Sequence, residues 1–336
     1  MVKSRYLIGI IALFLSAYAL TSAFSIPAEG FQVLRVEGPI AALNYFKAQQ
    51  QKQSDPGVQF GMAWAKFEAG DLVGAELGCN ALLAKRSLPE KMAANSAFLL
   101  AYLEARTGRY DESMQHFHYA LDIYENIGHH GNIFRSYLGL AEVAMYLNDM
   151  DGALYNLDQA WIVNEIAAKP LGQYYHLRAK HAFLEKDFDL ALHFSKKRYE
   201  AHREDNYRNG MANALSDIGF YLILTGHPDQ AFDKTMEAQE LLNKTGDEDT
   251  HYYNLINFIL LRRCEGRSVN SMVESVQIWI QKVNDMNLKN YLEFAMDFEC
   301  EVIQELSEPY PVGDGNPSPP DIIQFPSAVR AANQIQ

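Results

Sequence analysis

The sequence predicts an all-α protein, a right-handed α-α solenoid of stacked helix pairs, and three observations support this. Five segments share one pattern around a short turn. Small residues recur at fixed distances before and after each turn, and aspartates follow most of the turns. The landmark residues of the turns, separated by 38, 40, 38 and 40 residues, are Gly70, Gly108, Asn148, Lys186 and Gly226. A fixed period of this length indicates stacked supersecondary units.

The first 25 residues differ from the rest of the chain. Lys3 and Arg5 precede an apolar run at residues 6–20, and small residues follow it at 21–25. This order is typical of a secretory signal peptide. An uncleaved anchor also fits, because the apolar run extended through Phe24 approaches the length that spans a bilayer. Both readings predict an exported protein, periplasmic or secreted, whose only membrane contact is this segment if it stays uncleaved.

Each repeat is interpreted as two antiparallel helices that cross closely at small residues seven positions before and five positions after the landmark. The ten small positions are Ala63, Ala101, Ala141, Ala179, Gly219, Ala75, Ser113, Ala153, Ala191 and Ala231. A glycine, or Asn148 in its place, suits the left-handed residue that ends the first helix. Four aspartates are predicted to accept amide hydrogens at the start of the second helix, namely Asp111, Asp151, Asp189 and Asp229.

This pattern resembles the tetratricopeptide repeat (TPR) family, in which small residues at the helix crossing are followed by an Ala-x-x-x-Phe face. Here that face includes Ser113 with Phe117 and Ala153 with Leu157. The period exceeds the family's usual length of about 34 residues, and no proline closes the repeats. The longer helices resemble the long-repeat subclass of bacterial regulators and sensor proteins. The resemblance covers residues 56–250 and implies a scaffold for protein binding.

The segments outside the five repeats follow weaker patterns. The predicted organisation begins with a signal peptide or anchor over 1–25 and a partial first repeat over 30–55, with a helix across 39–53. Five repeats follow over 56–250. A degenerate sixth repeat and a capping helix (287–306) occupy 251–306, and a disordered tail covers 307–336. In the sixth repeat Gly266 is the landmark and Ser271 takes the small position. Six of the twelve prolines lie in 309–326, so the tail cannot bury enough apolar surface to fold.

Composition and motifs argue against catalysis and nucleic-acid binding. The net charge is -13, whereas binding phosphates requires clustered lysines and arginines. The best basic cluster, residues 196–198, is closely followed by acidic residues. The chain has no glycine-rich phosphate loop, no nucleophile elbow and no zinc-binding histidine pair. Neighbouring histidines are spaced by one, two or five residues, which does not place two ligands on one helix face. We therefore expect no cofactor, no metal and no enzyme activity.

Three cysteines, Cys79, Cys264 and Cys300, cannot all pair within one chain. Cys79 is predicted to be a small core residue. A disulfide between Cys264 and Cys300 requires their helices to be neighbours, and free thiols are the alternative.

The resemblance places the first helix of each repeat on the concave surface of the solenoid. The exposed stripe of that helix is expected three, six and ten residues before each landmark. The predicted partner-binding groove comprises Phe60, Trp64, Phe67, Phe98, Tyr102, Met145, His176, Lys180, Phe183 and Phe220. Such a groove suits an apolar or amphipathic peptide or helix. The alternative is that these side chains pack against one another. A basic clamp for a peptide carboxylate is not evident, since only Arg106, Arg135 and Lys180 are candidates.

The sequence therefore predicts an exported adaptor that binds a peptide segment or a partner protein through this groove. A sensory or regulatory module of an envelope signalling or secretion system, in which a ligand alters the solenoid, is the alternative. A self-assembled scaffold is a third possibility, and an enzyme is the least supported.

Overall fold

The computed structural model describes residues 28–51, 55–283 and 286–298. Across these residues every regular element is an α-helix, which confirms the predicted all-α class. The fifteen helices of the described residues are α1 (Ala28–Glu37), α2 (Pro39–Gln50), α3 (Pro56–Glu68), α4 (Leu72–Leu83), α5 (Glu90–Arg106), α6 (Tyr110–Asn126), α7 (His130–Tyr146), α8 (Met150–Ala167), α9 (Gly172–Leu184), α10 (Phe188–Glu204), α11 (Arg208–Leu224), α12 (Pro228–Thr245), α13 (Glu248–Cys264), α14 (Asn270–Val283) and α15 (Met286–Asp297).

Several predictions concern residues outside this description. The signal or anchor segment 1–25, Cys300 and the tail 307–336 lie outside the described residues, as does the second half of the helix expected over 287–306. Within the described ranges, none of the helices is both long and apolar enough to span a membrane.

The chain divides into two compact units, residues 1–169 (unit 1) and 170–336 (unit 2). Unit 1 contains α1 to α8, and unit 2 contains α9 to α15. In both units consecutive helices pack against each other, most extensively within the pairs that the repeat pattern predicts, such as α7 with α8 and α11 with α12. Each unit is therefore a stack of helix pairs.

The landmark residues are all left-handed, which confirms the prediction for the glycines and Asn148 and extends it to Lys186. Gly70 has a φ of 81°, and the non-glycine landmarks Asn148 and Lys186 have φ values of 60° and 63°. The residue after each landmark closes the turn through a backbone hydrogen bond. The Asp187 amide, for example, donates to the Ala182 carbonyl at 2.9 Å. This bond satisfies a carbonyl that the helix end leaves free, which keeps the turn in place without glycine.

The ten small positions are all buried, as the helix crossings require. Ser113 occupies such a position in α6, and its hydroxyl donates to the Ala101 carbonyl of α5 at 2.7 Å. The contact between α6 and α7 is also close, because a Cβ added to Gly139 of α7 would lie 2.4 Å from the buried ring of Phe117 in α6. The small residues therefore set how closely neighbouring helices approach.

The residues that cap the second helices differ from the prediction. The side chains of Asp71, Asp149 and Asp187, one residue after a landmark, accept the amides of Gly74, Gly152 and Leu190. The four predicted caps, Asp111, Asp151, Asp189 and Asp229, lie instead within the first turn of their helices. There their charge favours the helix dipole, but they follow the capping position by two residues.

The sixth repeat departs from the pattern in its second helix. Gly266 is left-handed with a φ of 69°, as at the other landmarks. However, α14 begins four residues after this landmark instead of two, so its register is shifted. Ser271 is consequently exposed, and its predicted place at the helix crossing is wrong. Met272 and Val276 carry the packing of this helix instead.

The described cysteines have different environments. Cys79 is a free thiol and fully buried in α4, as predicted. Burial, aided by the charge of Glu76, raises the pKa of this thiol to about 12, so it stays protonated and unreactive. Cys264, at the end of α13, is disulfide-bonded. Its predicted pairing with Cys300 involves a residue outside the described ranges and remains a prediction.

Candidate interaction surfaces

In unit 1 the predicted stripe separates into buried and part-exposed side chains. Phe60, Phe98 and Met145 are buried, so their expected exposure is wrong. Phe98 lies edge-on against Phe117 of the second helix layer, with ring centroids 5.6 Å apart. The helices of these repeats approach closely at small residues, so rings on this side of the first helices reach the space between the layers. These three side chains belong to the core.

Trp64, Phe67 and Tyr102 remain part-exposed and form an aromatic patch, which we call the unit 1 face. The rings of Trp64 and Phe67 are 6.2 Å apart and nearly perpendicular. The indole nitrogen of Trp64 donates to Glu68 at 3.0 Å, which orients the ring at the surface. Phe31 of α1 contacts the same indole at 6.3 Å. The patch is therefore held in shape before any partner arrives.

Tyr102 provides a polar group within the unit 1 face. Its ring packs edge-on against Phe98 and Phe117, both at 5.1 Å. Burial raises the pKa of Tyr102 well above its usual value, Glu142 adds to the rise, and Arg135 opposes it. The phenol is thus neutral at physiological pH and has a hydroxyl for hydrogen bonding beside apolar rings.

Two arginines border the unit 1 face. The guanidinium carbon of Arg106 lies 5.3 Å from the centroid of the Phe67 ring, within the range of a cation–π contact. Arg106 and Arg135 are both exposed. Aromatic rings beside exposed cations can receive apolar anchors and a carboxylate from one extended or helical segment.

In unit 2 the last helix that the structure describes, α15, contacts two residues of the predicted stripe, Phe183 and Phe220. Phe220 is buried, so its expected exposure is wrong as well, and His176, Lys180 and Phe183 are part-exposed. The rings of Phe183 and Phe220 are 5.7 Å apart. Both contact aromatic side chains of α15, and we call this pair of rings the unit 2 face.

A charged cluster that the sequence does not reveal lies beside the unit 2 face. Arg198 of α10 donates to the Asp217 carboxylate of α11, and Nδ1 of His176 in α9 lies 3.8 Å from the same carboxylate. Burial raises the pKa of Asp217, but Arg198 and His176 outweigh burial and hold it below the usual value. Burial and Arg198 lower the pKa of His176. Only His176 could be found by repeat spacing, because the other two lie off the predicted stripe.

Second helices of unit 1 carry exposed apolar side chains that lie outside the predicted groove. Val73 and Leu77 of α4 are 70% and 66% exposed, and Ile166 of α8 is 69% exposed. Their spacing of four residues in α4, Val73 to Leu77, is the sequence signal that marks them as one stripe of a second helix. Among the described residues, no group of three or more His, Cys, Asp or Glu side chains is arranged to hold a metal ion.

Comparisons with known proteins bear on the fold. No family model matches the sequence, and no curated protein matches it. Solved structures do match. A Rap protein complexed with competence and sporulation factor is 17% identical, the match covers 75% of this chain and 70% of that one, and the TM-score is 0.62. The Rap conjugation gene regulator of plasmid pLS20, in complex with the Phr* peptide, is 16% identical, with 75% and 76% covered and a TM-score of 0.58.

A third match is aspartyl phosphate phosphatase F from Bacillus subtilis, 12% identical, with 77% of this chain and 75% of that chain covered and a TM-score of 0.54. At such identities the likeness concerns the fold alone, so the phosphatase name carries no activity to this chain. The helix pairs, the left-handed turns and these likenesses define an all-α fold of stacked helix pairs, the fold of tetratricopeptide repeat proteins. The resemblance predicted from the sequence is confirmed at the level of the fold.

Proposed function

We propose that this chain is an exported adaptor that binds a peptide segment of a partner protein on the unit 1 face. The observation that carries the proposal is the set of part-exposed, pre-positioned rings of Trp64, Phe67 and Tyr102 beside the exposed cation of Arg106. Large rigid rings beside an arginine are the residues that dominate binding energy at protein interfaces. A peptide with apolar anchors and an acidic residue matches this chemistry.

Two further observations support the proposal. The pLS20 regulator, which has a similar fold, was solved with a peptide bound. Export is supported by the pattern of the first 25 residues and by the disulfide at Cys264, since disulfides persist mainly in oxidising compartments.

Fusing residues 1–30 to a reporter that is active only outside the cytoplasm tests export. An inactive reporter in cells that export a control fusion would contradict it.

The binding proposal is tested with peptides selected from a display library on the full chain. We expect the selected peptides to bind a Trp64→Ala/Phe67→Ala variant at least tenfold more weakly than the unaltered chain. The matched control is Val73→Ala/Leu77→Ala, which removes exposed apolar side chains from the outer side of the same unit. Equal binding to the folded Trp64/Phe67 variant, or loss of binding in the control alone, would place the site elsewhere.

A regulatory module is the second candidate function. It is favoured by the contacts of helix α15 with the unit 2 face, since a ligand that competes with α15 could alter the unit. An adaptor should bind its partner without any other ligand, whereas the partner binding of a regulator should change when a second ligand is added. The two functions are separated by titrating the selected peptide with and without a second peptide that has the sequence of helix α15. Unchanged affinity indicates an adaptor, and altered affinity indicates a regulator.

A further inference from the structure

Helix α15, the last helix among the described residues, does not simply continue the stack. In a solenoid of repeats, each repeat contacts only its neighbours. Helix α15 does contact its neighbours α13 and α14. Its aromatic side chains also reach Phe183 of α9 and Phe220 of α11, which belong to pairs much earlier in the chain. The helix therefore folds back over the first helices of the unit.

The aromatic contacts of α15 are specific in geometry. The ring of Tyr291 stacks on Phe183 with an interplanar angle of 15° and a centroid distance of 5.9 Å, and it meets Phe220 edge-on at 5.2 Å. Phe294 lies 6.0 Å from Phe183 and 5.8 Å from Phe220. Two rings of the helix thus engage both rings of the unit 2 face.

Helix α15 has the form of an amphipathic ligand. Tyr291 and Phe294 are three residues apart and so lie on one side of the helix. Lys289 and Glu293 are exposed on another side, with the ammonium 3.7 Å from the carboxylate. This is the pattern by which an amphipathic helix lays an apolar face into a groove, with anchors spaced by three or four residues.

Helix α15 has one side open to solvent and another held in the core of unit 2. A cleft of about 590 Å³ lies between α14 and α15, lined by residues that include Gln277, Gln281, Leu292 and Met296. At the other end, a guanidinium nitrogen of Arg263 donates to the Ala295 carbonyl near the end of the helix. The cleft borders the exposed side of α15. Leu288 and Ala295 of the same helix are fully buried in the core of unit 2, so a partner helix has to replace these contacts as well as the aromatic ones.

We propose that α15 is an internal occupant of the unit 2 face, and that the external partner of this face is an amphipathic helix with two aromatic residues three positions apart. The partner helix displaces α15 and takes over its contacts with Phe183 and Phe220. This inference rests on the proposed function in that it treats the chain as a binding protein, but it concerns a different face and a different class of ligand.

The test uses a fluorescein-labelled peptide with the sequence of residues 286–298 and the full chain. In the unaltered chain α15 occupies the face, so the peptide should bind weakly. In a Tyr291→Ala/Phe294→Ala variant the tethered helix loses its anchors, and we expect fluorescence anisotropy to show at least tenfold tighter binding. The matched control, Lys289→Ala/Glu293→Ala, alters only exposed groups of the same helix and should bind the peptide as the unaltered chain does.

Two outcomes would overturn the proposal. One is equal binding of the peptide to the unaltered chain and to the folded Tyr291/Phe294 variant. The other is equally tight binding of a peptide in which both aromatic positions are alanine. If the variant fails to fold, hydrogen exchange on the unaltered chain decides. Excess peptide should speed exchange in 286–297 several-fold and leave unit 1 unchanged, and no acceleration would show that α15 is a permanent part of the core.

The two proposals fail separately. Loss of selected-peptide binding on Trp64→Ala/Phe67→Ala concerns unit 1 and does not depend on α15. Binding of the 286–298 peptide concerns unit 2 and does not depend on Trp64. A chain that passes only the first test is an adaptor with a fixed capping helix, and one that passes only the second has its binding site on unit 2.

Discussion

At the scale of single residues, steric room decides which positions tolerate a side chain. In α7 two glycines both lack space for a Cβ, but for different reasons. At Gly139 the added atom would lie 2.4 Å from the tip of the Phe117 ring, which is fully buried. At Gly131 it would lie 2.5 Å from the Cε atom of Lys169, near the end of a flexible side chain. A buried ring cannot move aside, whereas a lysine terminus can.

We predict that Gly139→Ala lowers the free energy of unfolding by about 1–3 kcal/mol, the usual cost of forcing an extra carbon into a packed core. Gly131→Ala should cost nothing or stabilise α7 by up to about 1 kcal/mol, because alanine is the better helix former. Urea denaturation of the two variants measures the difference. Equal stabilities would mean that the Phe117 ring shifts without cost.

His202 makes stability depend on pH. Its ring lies between the glycines of two neighbouring helices, since a Cβ on Gly172 would be 2.2 Å from it and one on Gly210 2.6 Å. Burial, and then the charge of Arg198, lower the pKa of His202 to about 4. The unfolded chain, with an ordinary histidine pKa of about 6.5, therefore binds more protons between pH 6.5 and 4. Stability is complete above pH 6.5 and is lost as the pH falls towards 4.

We expect the His202→Gln variant to lose less stability than the unaltered chain between pH 7 and pH 4. The ring is partly exposed, and solvent screening limits the difference to about 1–2 kcal/mol. Denaturation midpoints across this range provide the measurement. His193→Gln, at an exposed site on the same helix, is the control and should keep the unaltered pH dependence. The same slope in the His202 variant would assign the acid sensitivity to other groups.

At the scale of the helices, the repeat pattern predicts the turns better than the caps. A left-handed landmark is visible because glycine marks it at most repeats, and the hydrogen-bonded turn imposes the same conformation on Asn148 and Lys186. The capping aspartate is harder to identify. Asp149 and Asp151 both follow the landmark, and an aspartate is common at either position near the start of a helix. Which one caps depends on where the backbone leaves its extended conformation, and the sequence does not specify that to within two residues.

The caps provide a test within one turn of α8. Asp149→Ala should lower the free energy of unfolding by about 1 kcal/mol, since its carboxylate accepts the Gly152 amide at 2.9 Å. Asp151→Ala should cost about 0.3–1 kcal/mol, because it loses only the dipole interaction. Chemical denaturation at low and high salt separates them, as salt screens the dipole term. A larger loss at Asp151 would restore the capping role that the repeat pattern predicts.

At the scale of the whole molecule, each unit has its own buried core. The largest buried cluster, which includes Phe220, Ile256 and Leu292, lies entirely in unit 2, and separate clusters around Phe46 and Phe117 lie in unit 1. The 38–40-residue period predicts helix pairs because it reports local geometry. It does not predict the division near residue 169 or the return of the last helix, which depend on contacts between residues far apart in sequence.

Phe220→Ala is expected to destabilise unit 2 by about 3–5 kcal/mol, the range for removing a buried aromatic side chain. Hydrogen exchange followed by mass spectrometry should show faster exchange throughout 172–297, while the core of unit 1 keeps its protection. Trp64→Ala, at a part-exposed ring, should have a much smaller effect on either unit. Uniformly faster exchange in both units after Phe220→Ala would show that the two cores unfold together.

The groove residues illustrate what repeat spacing can and cannot predict. Spacing places all ten on one side of their helices, and the structure agrees that they belong to first helices. It does not predict exposure. Phe60 is buried in a cluster with Leu82 of α4, Phe98 meets the ring of Phe117 in α6, and Phe220 meets α15. Whether Trp64, Phe67 and Tyr102 bind a partner stays a prediction that the peptide experiment decides.

The uniform turn between paired helices has an evolutionary consequence. Because Gly70, Gly108 and Asn148 close their hairpins with the same backbone shape, one 38–40-residue segment can replace another without rebuilding the junction on either side. Gene duplication or unequal crossing-over at these points would lengthen or shorten unit 1 by whole modules. Selection could then alter the rings of a single module, and so change what the protein recognises, while the joints between modules are inherited unchanged.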